Sequence, residues 1–355
     1  MQKVCFFNTA KAWGGGEKWH LEISSYLHEK GYSVFVIAHE DSELFTRLKS
    51  KNVPCKGISI GNLSFLNPSK CRAIKDLLIS LEIITLVMNL SRDLKIAGPA
   101  AKKAGVKRII YRRGSAIPIK NTILNRYYFK NILTEVLANS EATKNTITAK
   151  NEFLFNKEDI RIIYNGIEIK EIETAEKNNI FTILNLGRLE HQKNQVFLIL
   201  LAAELKKRKL TFKILIGGEG SLKKKLQDLI NELNVAKEVE LVGFINNPVA
   251  FINQADIFVL PSLWEGFGYV LAEASLCKKP IVAFDISSNP ELIIDGVSGY
   301  LTPSGDLKKF TDKVAHLYEN EAERNRMGQK GFEHVKRNFD KRLQLEKIED
   351  YLING

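Results

Sequence analysis

The feature that most constrains this chain is alternation. Short β-rich runs and helical patterns follow one another along almost all of its 355 residues, and a chain written that way has few options besides βαβ units around parallel sheets. In the first half the pattern predicts strands at residues 4–7, 33–38, 83–88, 107–111 and 135–138, with helices at 17–29, 69–81, 94–103 and 121–130. A polar stretch at 169–179 then breaks the rhythm, carrying Glu171, Glu173, Glu176 and Lys177 and little that could enter a core. It reads as a linker. A second series follows, with strands at 181–186, 212–216, 239–243, 257–260 and 280–284, and an amphipathic helix at 341–352 comes last. The expectation is an α/β chain of two Rossmann-like parallel-sheet domains, residues 1–168 and 169–340, because this length exceeds what one core usually supports.

Composition narrows the function classes without choosing one. The hydrophobic share of 45% and charged share of 26% are those of a globular chain, and the net charge of +11 favours anionic partners: nucleic acid, phosphorylated sugars or lipid headgroups. Cys5, Cys55, Cys71 and Cys277 are widely spaced, with no C-x-x-C pair and no Cys/His cluster, so neither a disulfide framework nor a zinc site is expected. The opening residues run into the strand at 4–7 without the features of a signal peptide, and the longest strongly apolar run, 196–203, is shorter than the ~20 residues that span a bilayer. A cytoplasmic location is expected, with any membrane contact peripheral.

Parallel α/β sheets bind ligands at the carboxyl ends of their strands, and the glycines and charges concentrate there. After the first strand come Gly14, Gly15, Gly16 and Glu17, where exposed backbone N–H groups at a helix start suit an anion and equally suit a flexible turn. After the strand at 181–186, Gly187-Arg188-Leu189 leads to Lys193-Asn194, so that two cations sit beside a helix N-terminus; this reads as a diphosphate clamp or as a charged surface turn. Gly217-Gly218-Glu219-Gly220 lacks the third glycine of a dinucleotide fingerprint, since Lys223 stands there, and reads as a tight turn over which a nucleotide can lie. After the strand at 257–260 stand Glu265, Gly266, Phe267, Gly268 and Tyr269, and a second carboxylate, Glu273, lies one turn into an apolar helix. A carboxylate there needs a partner, and a ribose offers two adjacent hydroxyls to it. A buried ion pair with a capping residue is the alternative.

Together these residues resemble glycosyltransferase family 4, the retaining transferases of GT-B architecture. Glu265 and Glu273 match its E-x7-E motif, and Gly187 to Asn194 is similar to its G-R-L-x-x-x-K-N. The likeness extends to Gly14–Glu17, Asn165-Gly166-Ile167, Gly217–Ser221 and Gly299-Tyr300-Leu301. The resemblance implies two Rossmann-like domains facing each other across a cleft, with the helix within 341–355 completing the N-terminal one. It implies that Arg188 and Lys193 bind the donor diphosphate, that Glu273 binds the ribose, and that Glu265 with the Phe267–Gly268 backbone holds the donor sugar. Gly15 and Gly16 would close over the donor, and Gly187, Gly218, Glu219 and Tyr269 would complete its surroundings. The implied donor is a UDP-sugar, or a GDP-sugar, and the implied product belongs to a bacterial cell-envelope polysaccharide or lipopolysaccharide.

No D-x-D pair occurs in the sequence, so no metal and no other cofactor is expected. Many family members carry a histidine where this chain has Arg112-Arg113, a departure that suggests an anion in the cleft and equally suits a surface pair of arginines. With Lys120, Arg126 and Lys130 on the basic, aromatic segment that follows, these arginines are candidates for the acceptor side, the acceptor being a glycan or a lipid-linked and possibly anionic molecule. Packing of that segment on the sheet, with its bases solvated, is the other reading. The competing functions are a nucleotide-sugar epimerase of the same fold, a NAD-dependent oxidoreductase and a nucleic-acid binder; the last has no recognition motif, and nucleic acid is not expected as a partner.

Overall fold

The computed structural model describes residues 3–170, 172 and 179–355, so most of the expected linker at 169–179 lies outside the described residues. The chain divides into two compact units, Met1–Gly166 together with Arg342–Gly355, and Ile167–Lys341.

The first unit runs β1 (Lys3–Asn8), α1 (Gly15–Glu29), β2 (Ser33–His39), α2 (Glu43–Ser50), β3 (Cys55–Ile58), α3 (Pro68–Ser80), β4 (Thr85–Met88), α4 (Ser91–Lys103), β5 (Arg108–Arg113), α5 (Ile123–Asn131), β6 (Glu135–Ala138), α6 (Glu141–Thr148) and β7 (Ile160–Ile162). Its sheet has seven parallel strands in the order β3-β2-β1-β4-β5-β6-β7. Successive side chains of β1 enter opposite cores. Val4 and Phe6 pack with Trp19 and Leu27, whereas Cys5 and Phe7 pack with Met88 and Leu94. Burial on both faces is why such strands read as continuous apolar runs. Side chains of Ser42, Asn67, Thr122 and Ser140 cap α2, α3, α5 and α6, each accepting from a backbone N–H of the first turn.

The second unit runs β8 (Phe181–Leu186), α7 (Gln195–Lys207), β9 (Phe212–Gly217), α8 (Lys223–Glu232), β10 (Val239–Gly243), α9 (Pro248–Asn253), β11 (Ile257–Leu260), α10 (Tyr269–Leu276), β12 (Ile281–Phe284), α11 (Asn289–Leu292), β13 (Gly299–Thr302), α12 (Leu307–Glu319) and α13 (Glu321–Phe339). Six parallel strands lie in the order β10-β9-β8-β11-β12-β13. Phe197, Phe284 and Phe310 meet edge to face in its core, with ring centroids 4.8 to 5.7 Å apart. The helix α13 lies so close to the end of α10 that a Cβ on Gly328 would stand 1.9 Å from the Lys278 carbonyl oxygen. A last helix, α14 (Lys341–Ile353), packs with the first unit, where Ile348 and Leu352 join the core of Val4 and Phe6.

The alternating pattern thus places both parallel sheets. Beyond it lie β3, β7 and β13, each at a sheet edge. Edge strands bury one side only, so short runs such as Cys55–Ile58 show no apolar block. Among the described residues no helix is long and apolar enough to cross a membrane.

Candidate active site

In each unit the strand order reverses beside the first strand, between β1 and β4 and between β8 and β11. Loops leaving the carboxyl ends of those pairs diverge to opposite faces and leave a crevice between them, the usual ligand position in open α/β sheets.

In the second unit this rule brings two motifs together. The loop after β8 carries Gly187, Arg188 and Lys193, and the loop after β11 carries Glu265. Lys193 Nζ donates to Glu265 Oε1 at 2.6 Å, with the two side chains 15% and 7% exposed. Backbone bonds tie the loops further. Leu263 N donates to the Gln192 carbonyl at 2.8 Å, and Gln192 Nε2 donates to the Trp264 carbonyl at 2.8 Å. Asn194, in the left-handed region at φ 52°, ends the turn and opens α7, while its Nδ2 donates to the Pro261 carbonyl. Arg188 is exposed, and its guanidinium has no hydrogen bond or ion pair among the described residues. It is the free cation of the two.

The turn after β9 lies against the same loop. Leu189 N donates to the Glu219 carbonyl at 2.9 Å, and Leu222 N donates to the Leu189 carbonyl at 3.0 Å. A Cβ on Gly218 would lie 2.0 Å from the Gly187 carbonyl oxygen, and φ is +137° there, so only glycine fits. The Glu219 carboxylate points to the surface and pairs with Lys223 at 3.0 Å. Gly268, at φ +81°, opens α10 and sets Tyr269 at its start; Phe267 is buried edge to face between Tyr269 and Phe339. Glu273, half-buried, stands one turn further along α10.

The first unit places Gly15 and Gly16 at the start of α1, which opens after β1. A Cβ on Gly16 would come within 2.4 Å of Asn89 Nδ2, a residue that follows β4, so the two switch-point loops touch there. Around them lies a buried polar network that the motifs do not announce. Thr9 donates through N and Oγ1 to both oxygens of Asp93, at 3.1 and 2.5 Å, and Arg92 donates to the Thr9 carbonyl. Burial pushes the Asp93 carboxyl up to about 7 despite those bonds. His20 Nδ1 faces the Gly16 carbonyl at 2.9 Å and Asn8 Nδ2 at 3.3 Å. Burial, with the nearby Arg112 charge as a lesser cause, pushes His20 down to about 3, which keeps the ring neutral.

Arg112 and Arg113 are separated by the strand's own alternation. Arg112 is 2% exposed and lies over the Trp19 ring at 4.3 Å, donating to Asn89 Oδ1 at 3.1 Å and to Asn165 Oδ1 at 2.7 Å. Its satisfied guanidinium braces the interior of the unit, and its burial leaves it little surface to offer an acceptor. Arg113 points to the other face, where it donates to the Ile117 carbonyl at 2.8 Å. Lys120, Arg126 and Lys130 are all exposed, and Tyr128 and Phe129 between them are buried. The helix α5 thus packs one face inward and leaves Arg126 and Lys130 exposed, an arrangement that fits either expectation for the segment. The sequence signal for the buried network was present in part: Asn89 and Asp93 follow β4, the second switch-point strand. Among the described residues no group of three or more His, Cys, Asp or Glu is placed to hold a metal ion.

Two parallel-sheet units with these switch-point loops define a GT-B chain, and comparison with known proteins agrees. The model for "Glycosyl transferases group 1" matches residues 167–334 and that for "Glycosyltransferase Family 4" matches 13–171. The chain belongs to the family 4 glycosyltransferases. An uncharacterized glycosyltransferase of Methanocaldococcus jannaschii is 31% identical over 69% of this chain and 66% of its own length. The N-acetylgalactosamine-N,N'-diacetylbacillosaminyl-diphospho-undecaprenol 4-alpha-N-acetylgalactosaminyltransferase of Campylobacter jejuni is 31% identical over 57% of this chain and 59% of its own length. The chain thus spans less than two thirds of either relative. The crystal structure of HepE from Anabaena, in complex with UDP, shares the fold with a TM-score of 0.86 and 20% identity, covering 100% of both chains.

Proposed function

We propose that this chain is a retaining, metal-independent glycosyltransferase. It takes a hexosyl or N-acetylhexosaminyl group from a nucleotide-diphosphate sugar, UDP-linked before GDP-linked, and passes it to a glycan or lipid-linked acceptor. Its place is in bacterial cell-envelope polysaccharide assembly, at the cytoplasmic face of the membrane. The observation that carries the reading is the Lys193–Glu265 bond at the switch point, which joins the two loops whose motifs define the family. The UDP bound to HepE and the diphospho-undecaprenol acceptor in the name of the Campylobacter relative support the donor and acceptor classes.

Breaking the anomeric C–O bond leaves positive charge on the sugar and negative charge on the departing diphosphate. Cations fixed at the diphosphate therefore stabilise the transition state more than the ground state. In this reading Arg188, exposed and without a partner among the described residues, meets the diphosphate first. Lys193 is held by Glu265 within reach, and a diphosphate competes for its ammonium group. The Glu265 carboxylate is then left to accept hydrogen bonds from the donor sugar, while Glu273 on α10 accepts from the ribose hydroxyls. The N–H groups at the start of α10, beyond Gly268, add partial positive charge.

The test is a screen of UDP- and GDP-sugars for hydrolysis and thermal stabilisation, since a bound ligand raises apparent stability by mass action. One donor should stand out, activity should survive EDTA, and the product should keep the donor's anomeric configuration. An epimer released without acceptor, or activity lost in EDTA and restored by a divalent metal, would overturn the respective part of the proposal.

A further inference from the structure

The first unit contains a second concave feature, beside the loop that leads from β4 into α4. Its cavity has a volume of about 290 Å³ and lies between the first turn of α4, the end of β5 and the N-terminus of α5. That is near the small end of ligand pockets, which run to ~300–1,000 Å³. Three bases from three different segments line it: Lys95 of α4, Arg113 of β5 and Lys120 of the loop before α5. The lining contains no aspartate or glutamate. Tyr111 and Phe129, edge to face at 5.9 Å, form its apolar floor.

Neither ammonium group, on Lys95 or on Lys120, has a hydrogen bond or ion pair among the described residues. The Lys95 ammonium lies over the Phe65 ring at 5.6 Å. Arg113 is anchored by the Ile117 carbonyl at 2.8 Å, yet its Nε is buried with no partner among the described residues, a donor whose desolvation is uncompensated. The start of α4 adds N–H groups that no side chain of its N-cap residue, Leu90, satisfies. Outside the cavity Ile117, Ile123 and Tyr127 expose apolar surface, at 45%, 79% and 51%.

We infer that this pocket is an anion site that takes the phosphoryl or diphosphoryl end of a phosphorylated acceptor. That the ligand is the acceptor rests on the sugar-transfer reading; that an anion binds here rests on the pocket alone. Phosphate oxygens would accept from Lys95, Lys120 and the Arg113 guanidinium, and the apolar surface outside suits the remainder of a lipid-held molecule.

Inorganic pyrophosphate is the probe, titrated into the full chain by calorimetry with and without saturating UDP. Binding should persist in UDP and weaken as salt rises. In the double variant Lys95→Gln/Lys120→Gln it should fall by about tenfold, because two charge-assisted contacts are lost. The control Lys51→Gln/Lys56→Gln removes the same charge from exposed positions of the same unit outside the pocket, and should stay within about twofold of wild type. A second arm offers neutral phosphatidylcholine vesicles with and without a polyprenyl diphosphate. Recruitment that depends on the polyprenyl diphosphate and on Lys95 and Lys120 assigns a lipid-held phosphate, and pyrophosphate binding without recruitment assigns a soluble phosphate ester. Wild-type pyrophosphate affinity in Lys95→Gln/Lys120→Gln, or no pyrophosphate binding in saturating UDP, would overturn the inference. Failure of both UDP and GDP to bind would instead count against the sugar-transfer reading and leaves the Lys95 and Lys120 comparison readable.

Discussion

Lys193 and Glu265 satisfy one another, whereas the Arg188 guanidinium has no partner among the described residues, and that difference decides which substitutions are informative. Removing Lys193 leaves a buried carboxylate unpaired, so Lys193→Ala mixes lost stability with lost chemistry. Arg188→Ala disturbs nothing that packs. It should lower kcat/KM by about 10²–10³-fold, the cost of losing one preorganised electrostatic contact, with an unchanged melting temperature. Glu273→Ala should lower it similarly, and near-normal turnover in either purified variant would remove the role assigned to it. Asp93 carries a different kind of prediction. Its carboxyl is raised from 3.8 to about 7, so the unfolded chain ionises first and this group's contribution to stability is lost as pH rises across that window. Asp93→Asn keeps an acceptor for Thr9 and removes the titration. Its stability relative to wild type, followed by urea unfolding, should therefore rise from pH 4 to pH 7; a flat difference would show that the carboxyl does not titrate there.

At the scale of elements, α5 is the helix whose two faces ask different questions. Tyr128 and Phe129 bury one face, while Arg126 and Lys130, with Lys120 just before the helix, face solvent. If the exposed bases meet an anionic or membrane-held acceptor, Lys120→Gln/Arg126→Gln/Lys130→Gln should weaken binding to anionic vesicles or acceptor use in a salt-sensitive way. Donor affinity should not change, and unaltered kinetics with unaltered vesicle binding would leave the helix as packing alone. The main elements were legible in the sequence because strands such as Val4–Phe7 are buried on both faces and so announce themselves as apolar runs. The edge strands β3 and β7 were not, since one side of each faces outward. Arg112 was illegible for a different reason: an arginine is ordinarily exposed, and the groups that make its burial tolerable, Trp19, Asn89 and Asn165, come from three distant segments. The loops of the donor motif stood out by residue type, but that Lys193 and Glu265 bond to each other follows only from the strand order β8-β11.

For the whole molecule the telling element is α14, which packs with the unit that β1 begins. Glu349 fixes it there, accepting from Tyr26 Oη at 2.6 Å, Lys30 Nζ at 2.7 Å and Tyr32 Oη at 2.8 Å. Glu349→Ala should cost about 2 kcal/mol, the scale of a hydrogen-bonded charge. Thermal unfolding monitored through Trp13 and Trp19 of the first unit, in a Trp264→Phe background that silences the second, would report it. Unchanged unfolding of that unit would mean that Ile348 and Leu352 alone hold the helix. The placement of α14 also bears on synthesis. Domains emerging from the ribosome ordinarily fold in the order they are made, but here the unit made first lacks a piece of its core until α14 has been translated, whereas the second unit, Ile167–Lys341, is one continuous stretch. The nascent chain should therefore complete its second unit while the first still waits, exposing the groove beside Val4 and Phe6 to chaperones for longest.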